Sequence, residues 1–319
     1  MKRKVRAAGG GAQGSALSIC DHHDVLVVGD GDFSFSYDLA IGRMARASQA
    51  RERGESNTSD GRGSLVATSF DSKHSLVSKY GEEVCQNIEN LSAAACVRQI
   101  LHGVDATDLR NSLAPRLRNQ AKFDRIVFNF PLVPLTDTVE DRKNAIDIDV
   151  VVCNRYLLWK FIRESWEWLN ESGVVLITSK TCAPYDLWRI HSLGNTRVQF
   201  VREEPFDASS FQHYKLRKVN IIEHQHSAHK RVNFTVSPAG ASTFAFQKGP
   251  CLLTSLPPHS SFFCNLCRVD CKRKGTFEAH CLGKKHRRLK CAEQNWRTFL
   301  TQYSQRTKKI NGCRKNGPN

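Results

Sequence analysis

Residues Asp24–Ala40, with the sequence DVLVVGDGDFSFSYDLA, constrain the fold more than any other part of the chain. The apolar run Val25–Val28 ends abruptly in the turn Gly29-Asp30-Gly31-Asp32, and a segment of helical character follows. This is the layout of the first strand, tight turn and first helix of an α/β sheet that binds a nucleotide. Gly29 and Gly31 allow backbone conformations that a side chain would forbid, and they let backbone amides approach a ligand closely.

The two acidic residues of this turn indicate which ligand it binds. Asp30 and Asp32 would repel a pyrophosphate, and the third glycine of a dinucleotide-binding turn is absent, since Ser34 stands there. Carboxylates suit a cofactor with a cationic centre, and S-adenosylmethionine carries a sulfonium and an ammonium. We therefore predict that S-adenosylmethionine binds at Gly29, Asp30, Gly31, Asp32 and Ser34. A nicotinamide-dependent oxidoreductase is a less favoured alternative.

Further segments alternate between strand and helix character, which predicts an α/β fold with a mostly parallel sheet covered on both faces. A long helix is predicted over about Asp147–Leu169, with Val151, Leu158, Ile162 and Leu169 on its buried face and Arg155 on another face. Thr243–Phe246 could add one more strand. The other predicted strands are Leu65–Ser69, Val97–Gly103, Arg125–Asn129 and Val174–Thr178, followed by a final hairpin of Val198–Arg202 and Lys215–Ile222.

Polar residues follow each of the early strands, at the sheet edge where open α/β sheets bind ligands. Asp71 follows the second strand, where an acid can accept hydrogen bonds from ribose hydroxyls, and Asp105 follows the third, where an acid can accept from an adenine amino group. Each could equally be a turn or helix N-cap residue. Asn129-Phe130-Pro131 follows the fourth strand. These positions complete a predicted cofactor and substrate site.

Charge is distributed very unevenly. The net charge is +16, yet residues 21–260 are balanced, and residues 261–319 hold 15 basic and three acidic residues. A neutral α/β body with basic ends is typical of an enzyme with nucleic-acid-binding arms.

We predict a basic disordered arm at 1–22, a methyltransferase-type domain at 23–247, a linker at 248–260, a zinc finger at 261–291 and a basic tail at 292–319. The basic N-terminus could be a nuclear signal, an RNA arm or a presequence.

No apolar run predicts a membrane span. The twelve cysteines lack the regular spacing of a secreted protein, which indicates a reducing compartment.

One group of cysteines and histidines has the spacing of zinc ligands. Cys264-x2-Cys267-x12-His280-x5-His286 places two thiolates on a turn and two imidazoles on a following helix. Phe263 and Phe277 would supply the small core of such a finger. The segment 275–289 is similar to matrin/U1-type and double-stranded-RNA-binding fingers, which implies that its basic residues face RNA phosphates. Contact with a protein is the alternative use of the finger.

The motifs VGDGDFSFS (28–36), ATSFDS (67–72), LHGVDAT (101–107) and FDRIVFNFP (123–131) resemble the eukaryotic large-subunit ribosomal RNA uridine-N3 methyltransferase family. The resemblance implies a Rossmann-like methyltransferase fold, S-adenosylmethionine as methyl donor, a large-subunit rRNA or pre-ribosome as substrate, and a location in the nucleus, more specifically in the nucleolus. One departure is Leu132, which stands where the family usually has histidine. A non-catalytic RNA-binding ribosome assembly factor is therefore the alternative function.

For methyl transfer to a uridine, the site must orient the base and stabilise charge on its carbonyl oxygens. Asn129 can hydrogen-bond a base edge, Phe130 can stack on an extruded base, and Pro131 stiffens their loop. Lys180, at the end of the fifth strand, could stabilise an oxygen of the base or contact phosphate, or it could simply be a surface lysine. No residue is identified as the general base.

Overall fold

The computed structural model describes residues 19–54, 63–117, 121–133, 150–217, 237–249 and 260–315. The helices are α1 (Ser34–Glu52), α2 (Lys73–Tyr80), α3 (Glu83–Ser92), α4 (Leu109–Leu113), α5 (Val150–Ser165), α6 (Lys274–Leu282) and α7 (Lys284–Lys315). The strands are β1 (Val25–Val27), β2 (Leu65–Thr68), β3 (Val97–Leu101), β4 (Phe123–Asn129), β5 (Leu169–Lys180), β6 (Val198–Pro205), β7 (Ala241–Lys248), β8 (Phe263–Cys264) and β9 (Val269–Asp270).

The first seven strands form one sheet in the order β3-β2-β1-β4-β5-β7-β6. Strands β1 to β5 are parallel, whereas β7 runs antiparallel between β5 and β6. The predicted α/β fold with a mostly parallel, Rossmann-like sheet is confirmed. Strand order reverses between β1 and β4, so the crevice outside the carboxyl ends of these strands is the expected ligand site.

The sheet is buried on both faces, which explains the nearly continuous apolar runs of its strands. Val25 and Val27 belong to the core cluster on one face, together with residues of α1, α2 and α3. Leu26 and Val28 belong to the cluster on the other face, which includes residues of α5 and Trp296 of α7. Successive side chains of a strand point to opposite faces of the sheet, so β1 and the residue after it pack against the helices on both faces.

One prediction about the later strands is wrong. The described partner of β6 is β7, with Phe200 opposite Phe246, where the sequence predicted a hairpin with Lys215–Ile222. Lys215–Arg217 instead lies at the carboxyl edge of the sheet, and residues 218–222 lie outside the described ranges. Thr243–Phe246, predicted as an optional strand, is the centre of β7.

The predicted long helix ends earlier than expected, and the side chain of Arg155 on it is buried. Helix α5 ends at Ser165, a short 3-10 turn follows, and Leu169 begins β5 opposite Phe123. Arg155 was predicted on a face away from the core but is only 1% exposed. Its burial follows from the packing of α7 across α5, which no local pattern in α5 reveals.

The C-terminal part forms the predicted strand–helix zinc finger, with the hairpin β8–β9 followed by α6. Helix α7 begins within the finger and continues past residue 291, where the sequence predicted the finger to end. The proposed domain boundaries therefore stay a prediction, and the arm before residue 19 lies outside the described residues. None of the described helices combines the length and apolar character that a membrane crossing requires.

Candidate functional site

A cavity of about 330 Å³ opens at the carboxyl ends of the parallel strands. It lies at the point where strand order reverses, which is where open α/β sheets bind their ligands. The cavity brings together every predicted position after β1 to β4 except Ser34, and it adds a segment near residue 215. The residues that line it include Gly29, Asp30, Gly31, Asp32, Phe70, Asp71, Lys79, Tyr80, Asp105, Asn129, Phe130, Pro131, Leu132, Tyr214, Lys215 and Arg217.

The turn after β1 has the tight geometry that its glycines predicted. Gly29 has φ +66°, and a Cβ there would lie 2.7 Å from Phe128 Cε2, so only glycine fits. Gly31 has no such backbone requirement, but a Cβ at this position would come within 3.3 Å of the Tyr80 hydroxyl. Gly29 is therefore required by its backbone conformation and by Phe128, whereas the lack of a side chain at Gly31 leaves room for Tyr80.

Asp30 is buried at the cavity and also caps a helix. Its Oδ2 accepts a hydrogen bond of 2.8 Å from the backbone N–H of Ser36 in the first turn of α1, where the helix dipole favours negative charge. Burial, and next the nearby Asp32 charge, nevertheless raise the pKa of Asp30 from 3.8 to about 7. A cationic ligand in the cavity would offset this cost, so the raised pKa marks Asp30 as a group that a sulfonium or ammonium would complement.

Asp32 has a different role from the one the sequence suggested. Its Oδ1 accepts from the Ser34 hydroxyl at 2.6 Å, and its Oδ2 accepts from the Arg217 guanidinium. Arg217 also donates to Glu83 at 2.6 Å. The Asp32 carboxylate is therefore paired within the protein, and together with Ser34 it shapes the turn.

Sequence analysis missed Arg217. It lies in the segment 211–217, which crosses the carboxyl edge of the sheet and is fastened to α1: His213 N donates to Asp38 Oδ2 at 2.7 Å, and Lys215 N donates to Ser34 Oγ at 3.0 Å. The signal that could have found it is the acidic turn itself, because a buried carboxylate needs a cation nearby. His213 is exposed and its described contacts are structural, which gives no indication of a general base.

The acids after β2 and β3 both reach the cavity. Asp71 is paired with Lys79 through a 2.8 Å bond to Oδ1, which leaves its second oxygen for ribose hydroxyls. Asp105 Oδ1 accepts from the backbone N–H and the hydroxyl of Thr107 at 2.7 and 2.8 Å, the turn arrangement that its sequence allowed. A cofactor role and a turn role are thus compatible for Asp105, because only one of its oxygens makes the turn.

Asn129 carries a buried polar group that the described residues leave unsatisfied. Its amide Nδ2 is buried and has no hydrogen-bond partner among the described residues, a condition that costs about 1–3 kcal/mol unless a ligand satisfies it. Phe130 has φ +48°, and its N–H is held by Thr178 O at 2.7 Å. This uncommon conformation turns the loop at the cavity edge, where the Phe130 ring meets Phe206 at 5.7 Å between centroids.

Two other predicted positions have less direct roles. Lys180 lies at the end of β5 opposite Ala241 and is not among the residues that line the cavity. Leu132 lines the cavity and packs against the apolar core beside α5. It offers no group that could transfer a proton, so any chemistry at the cavity must come from other residues.

The four predicted zinc ligands converge on one point. Cys264 Sγ and Cys267 Sγ each lie 3.5 Å from His286 Nδ1, which lies 3.4 Å from His280 Nε2. A tetrahedral Zn²⁺ with bonds of about 2.3 Å to sulfur and about 2.0–2.1 Å to nitrogen has edges of roughly 3.3–3.6 Å. The geometry fits Zn²⁺, with His280 binding through Nε2 and His286 through Nδ1.

Comparisons with known proteins agree with both sites. Residues 262–286 match the model of a C2H2-type zinc finger. "Heavy metal-associated isoprenylated plant protein 41" of Arabidopsis thaliana is 28% identical over 198 residues, 62% of this chain and 33% of that protein. "Uncharacterized protein At4g26485" of the same plant is 29% identical over 195 residues, 60% of this chain and 80% of that protein. The chain thus spans a third of the first relative.

Among solved structures, TrmN from Thermus thermophilus is similar at 15% identity and a TM-score of 0.36, covering 72% of this chain and 45% of that one. Residues 26–218, which contain all of the described cavity residues, match the model of the BMT5-like rRNA (uridine-N3-)-methyltransferases. The chain therefore belongs to the BMT5-like rRNA (uridine-N3-)-methyltransferase family.

Proposed function

We propose that this protein transfers a methyl group from S-adenosylmethionine to N3 of a uridine in large-subunit ribosomal RNA. Family membership supports the reaction class, and the cavity offers Asp30 to the cationic centre of the cofactor and Asp71 to its ribose. The observation that carries the choice of substrate is the match of residues 26–218 to the uridine-N3 methyltransferase family. The buried, unpartnered Nδ2 of Asn129 is compatible with it, because it offers an N–H to a carbonyl oxygen of uracil.

Uridine N3 lies between two carbonyl groups and holds a proton at neutral pH, so it is a poor nucleophile until that proton leaves. Negative charge then spreads onto the flanking oxygens, and a donor already fixed at one of them stabilises it. Asn129 supplies this donor from the rigid end of β4, while the Phe130 ring offers a face to a base turned out of its helix. Gly29, Asp30 and Asp71 would hold S-adenosylmethionine, which would supply the methyl group, and the N3 proton would be lost to water.

The zinc finger supports an RNA substrate. Its basic residues Lys284, Lys285, Arg287, Arg288 and Lys290 are exposed and lie beside the zinc ligands. Such a surface binds phosphates in a strongly salt-dependent manner, and double-stranded RNA is recognised mostly by shape. We infer that the finger docks on a helical segment of pre-ribosomal RNA, and that the protein works in the nucleolus.

The test is a methyl-transfer assay with labelled cofactor and ribosomal RNA from cells that lack the protein, followed by nucleoside analysis. We expect 3-methyluridine with the wild-type chain and at least a hundredfold less with Asn129→Ala, at unchanged cofactor affinity. Asn90→Ala, which removes an amide on α3 away from the cavity, is the matched control and should behave as wild type. RNA binding without any labelled nucleoside would refute the proposal and favour a non-catalytic assembly factor.

A further inference from the structure

Helix α7 joins the zinc centre to the methyltransferase domain in one continuous element. It carries the zinc ligand His286 in its first turn and continues to Lys315. Its middle part, from Glu293 to Tyr303, packs across α5 and near the short 3-10 helix at 185–188. A finger attached in this way has no flexible joint between residue 284 and the domain that holds the cavity.

An ion-pair cluster fixes the beginning of this contact. Glu293 accepts from Arg155 of α5 at 3.2 Å and also from Arg189, which follows the 3-10 helix. The side chains are 18%, 1% and 11% exposed respectively. The Arg155 guanidinium also lies 4.9 Å from the centre of the Trp296 ring. Buried charges of this kind tolerate little displacement, because moving one partner leaves the others uncompensated.

Aromatic side chains fix the rest of the contact. Trp296 is 4% exposed and meets Trp159 at 6.2 Å, while Phe299 meets Tyr156 at 5.5 Å. Tyr303 lies 5.7 Å from Tyr156 and 5.6 Å from Trp159. Three successive turns of α7 are therefore anchored on one side of α5, which defines both the position and the rotation of the helix.

The finger also contacts the sheet directly. In addition, the contact between α7 and α5 lies close to the cavity. Arg268 of the finger lies 3.7 Å from Glu203 of β6 and 5.7 Å from the centre of the Phe200 ring. Tyr156, which Phe299 and Tyr303 contact, is followed on α5 by Leu157. Leu157 lines the cavity, so the α7 contact lies close to the cavity edge of the sheet.

We propose that α7 is a rigid spacer that holds the finger at a fixed distance from the cavity, so that the substrate is a structured RNA with a double-stranded segment at a set distance from the target nucleotide. At a rise of about 1.5 Å per residue, the 17 residues from His286 to Tyr303 span about 26 Å. The inference rests on the proposed function. It makes Glu293 and Trp296 positioning residues, which act through the placement of the finger and do not touch substrate.

The experiment changes the length of the spacer, and with it the contact of Arg268 with the sheet. A seven-residue alanine-rich insertion after Lys290 moves the finger by about 10 Å along the helix axis and rotates it by only about 20°. Both flanking residues, Lys290 and Cys291, are exposed. The matched control carries the same insertion after Gln305, beyond the last described contact with α5. Zinc content, affinity for a plain RNA duplex and affinity for S-adenosylmethionine are measured for the wild type and both variants.

We expect the insertion after Lys290 to leave these three binding measurements unchanged and to lower kcat for 3-methyluridine formation in ribosomal RNA at least tenfold, with little change in KM. The control insertion should have no effect. Equal kcat at the same nucleotide in all three proteins would overturn the proposal, as would a wild-type protein that does not bind the duplex.

A distance measurement separates this proposal from the proposed function. Fluorescent labels at Lys272 in the finger and Glu89 on α3, both exposed, report the finger-to-domain distance without any need for activity. A single narrow distance that changes with the insertion after Lys290 supports the spacer even if the wild-type protein methylates no uridine. A broad distance distribution in the wild-type protein contradicts the spacer even if methylation is robust.

Discussion

Replacing Asp30 by asparagine should make the ligand-free protein more stable while weakening cofactor binding. The substitution keeps the shape of the side chain and an amide oxygen that can accept from Ser36 N, so the cap on α1 survives. It removes only the charge. Since burial and the Asp32 charge raise the pKa of Asp30 from 3.8 to about 7, the ionised form is a cost that the wild-type protein bears at neutral pH.

The size of this cost follows from the shift. Asp30 has a folded-state pKa above its unfolded value, so the wild-type protein loses stability as pH rises from about 4 through about 7. At 1.36 kcal/mol per pKa unit, the loss is about 4 kcal/mol at pH 8. Asp30→Asn should therefore raise the free energy of unfolding by about 4 kcal/mol at pH 8, and by less than 1 kcal/mol at pH 4.

Cofactor binding should change in the opposite direction. The sulfonium and ammonium favour the ionised carboxylate, so wild-type affinity for S-adenosylmethionine should rise about tenfold from pH 6 to pH 8, as Asp30 ionises. The Asp30→Asn variant should bind more weakly and lack this pH dependence. Asp71→Asn, at a position that is partly exposed and paired with Lys79, is the control that should lose affinity without gaining stability.

Urea unfolding of the ligand-free proteins at pH 4 and pH 8 measures the first effect, and calorimetric titration with cofactor measures the second. The reasoning is wrong if Asp30→Asn and wild type differ by less than about 1 kcal/mol at pH 8. It is also wrong if the wild-type protein binds the cofactor equally well at pH 6 and pH 8, because Asp30 would then already carry its charge throughout this range.

Three further predictions concern other parts of the chain. Glu293→Gln should lower the free energy of unfolding by about 3 kcal/mol in urea, because Arg155 is 1% exposed and loses its counter-charge; an effect below 0.5 kcal/mol would contradict this. Arg217→Leu should destabilise by about 3–5 kcal/mol, because Asp32 stays buried without its cation, and the double variant with Asp32→Asn should recover most of the loss; no recovery would show that Arg217 acts by packing alone. Removing Zn²⁺ with a chelator should abolish binding to duplex RNA and leave calorimetric affinity for S-adenosylmethionine unchanged, because the zinc ligands and the cavity lie on separate elements; a parallel loss of cofactor affinity would contradict this.

Local sequence patterns were sufficient for most of the sheet and for the zinc centre. The apolar run before Gly29 and the polar residues at Asp71, Asp105 and Asn129 define where parallel strands end, and parallel strands must bring those ends to one edge. The spacing of the ligands from Cys264 to His286 likewise predicts the geometry of the site, because the chemistry of Zn²⁺ fixes the ligand number and arrangement. These features can be predicted because they depend on residues close together in the sequence or on the regular spacing of apolar residues.

The pairing of β6 was beyond local patterns for a physical reason. Val198–Pro205 has the character of a strand wherever its partner lies, and the choice between residues 215–222 and β7 depends on which segment completes the sheet beside β5. The same holds for the end of α5, where Leu169 fits a helix face by spacing but is taken by β5 through its pairing with Phe123.

What the sequence determined by itself is the chemistry: the turn that needs Gly29, the acids at the strand ends, the four zinc ligands and the charge asymmetry of the chain. The tertiary structure alone decided how those groups are used. Arg217 reaches Asp32 across 185 residues of sequence and pairs with its carboxylate. Arg155 is buried because Glu293 and Trp296 arrive from a helix far along the chain. A residue type sets which interactions a side chain can make, but only the packing of distant segments decides which charges are neutralised and which remain for a ligand.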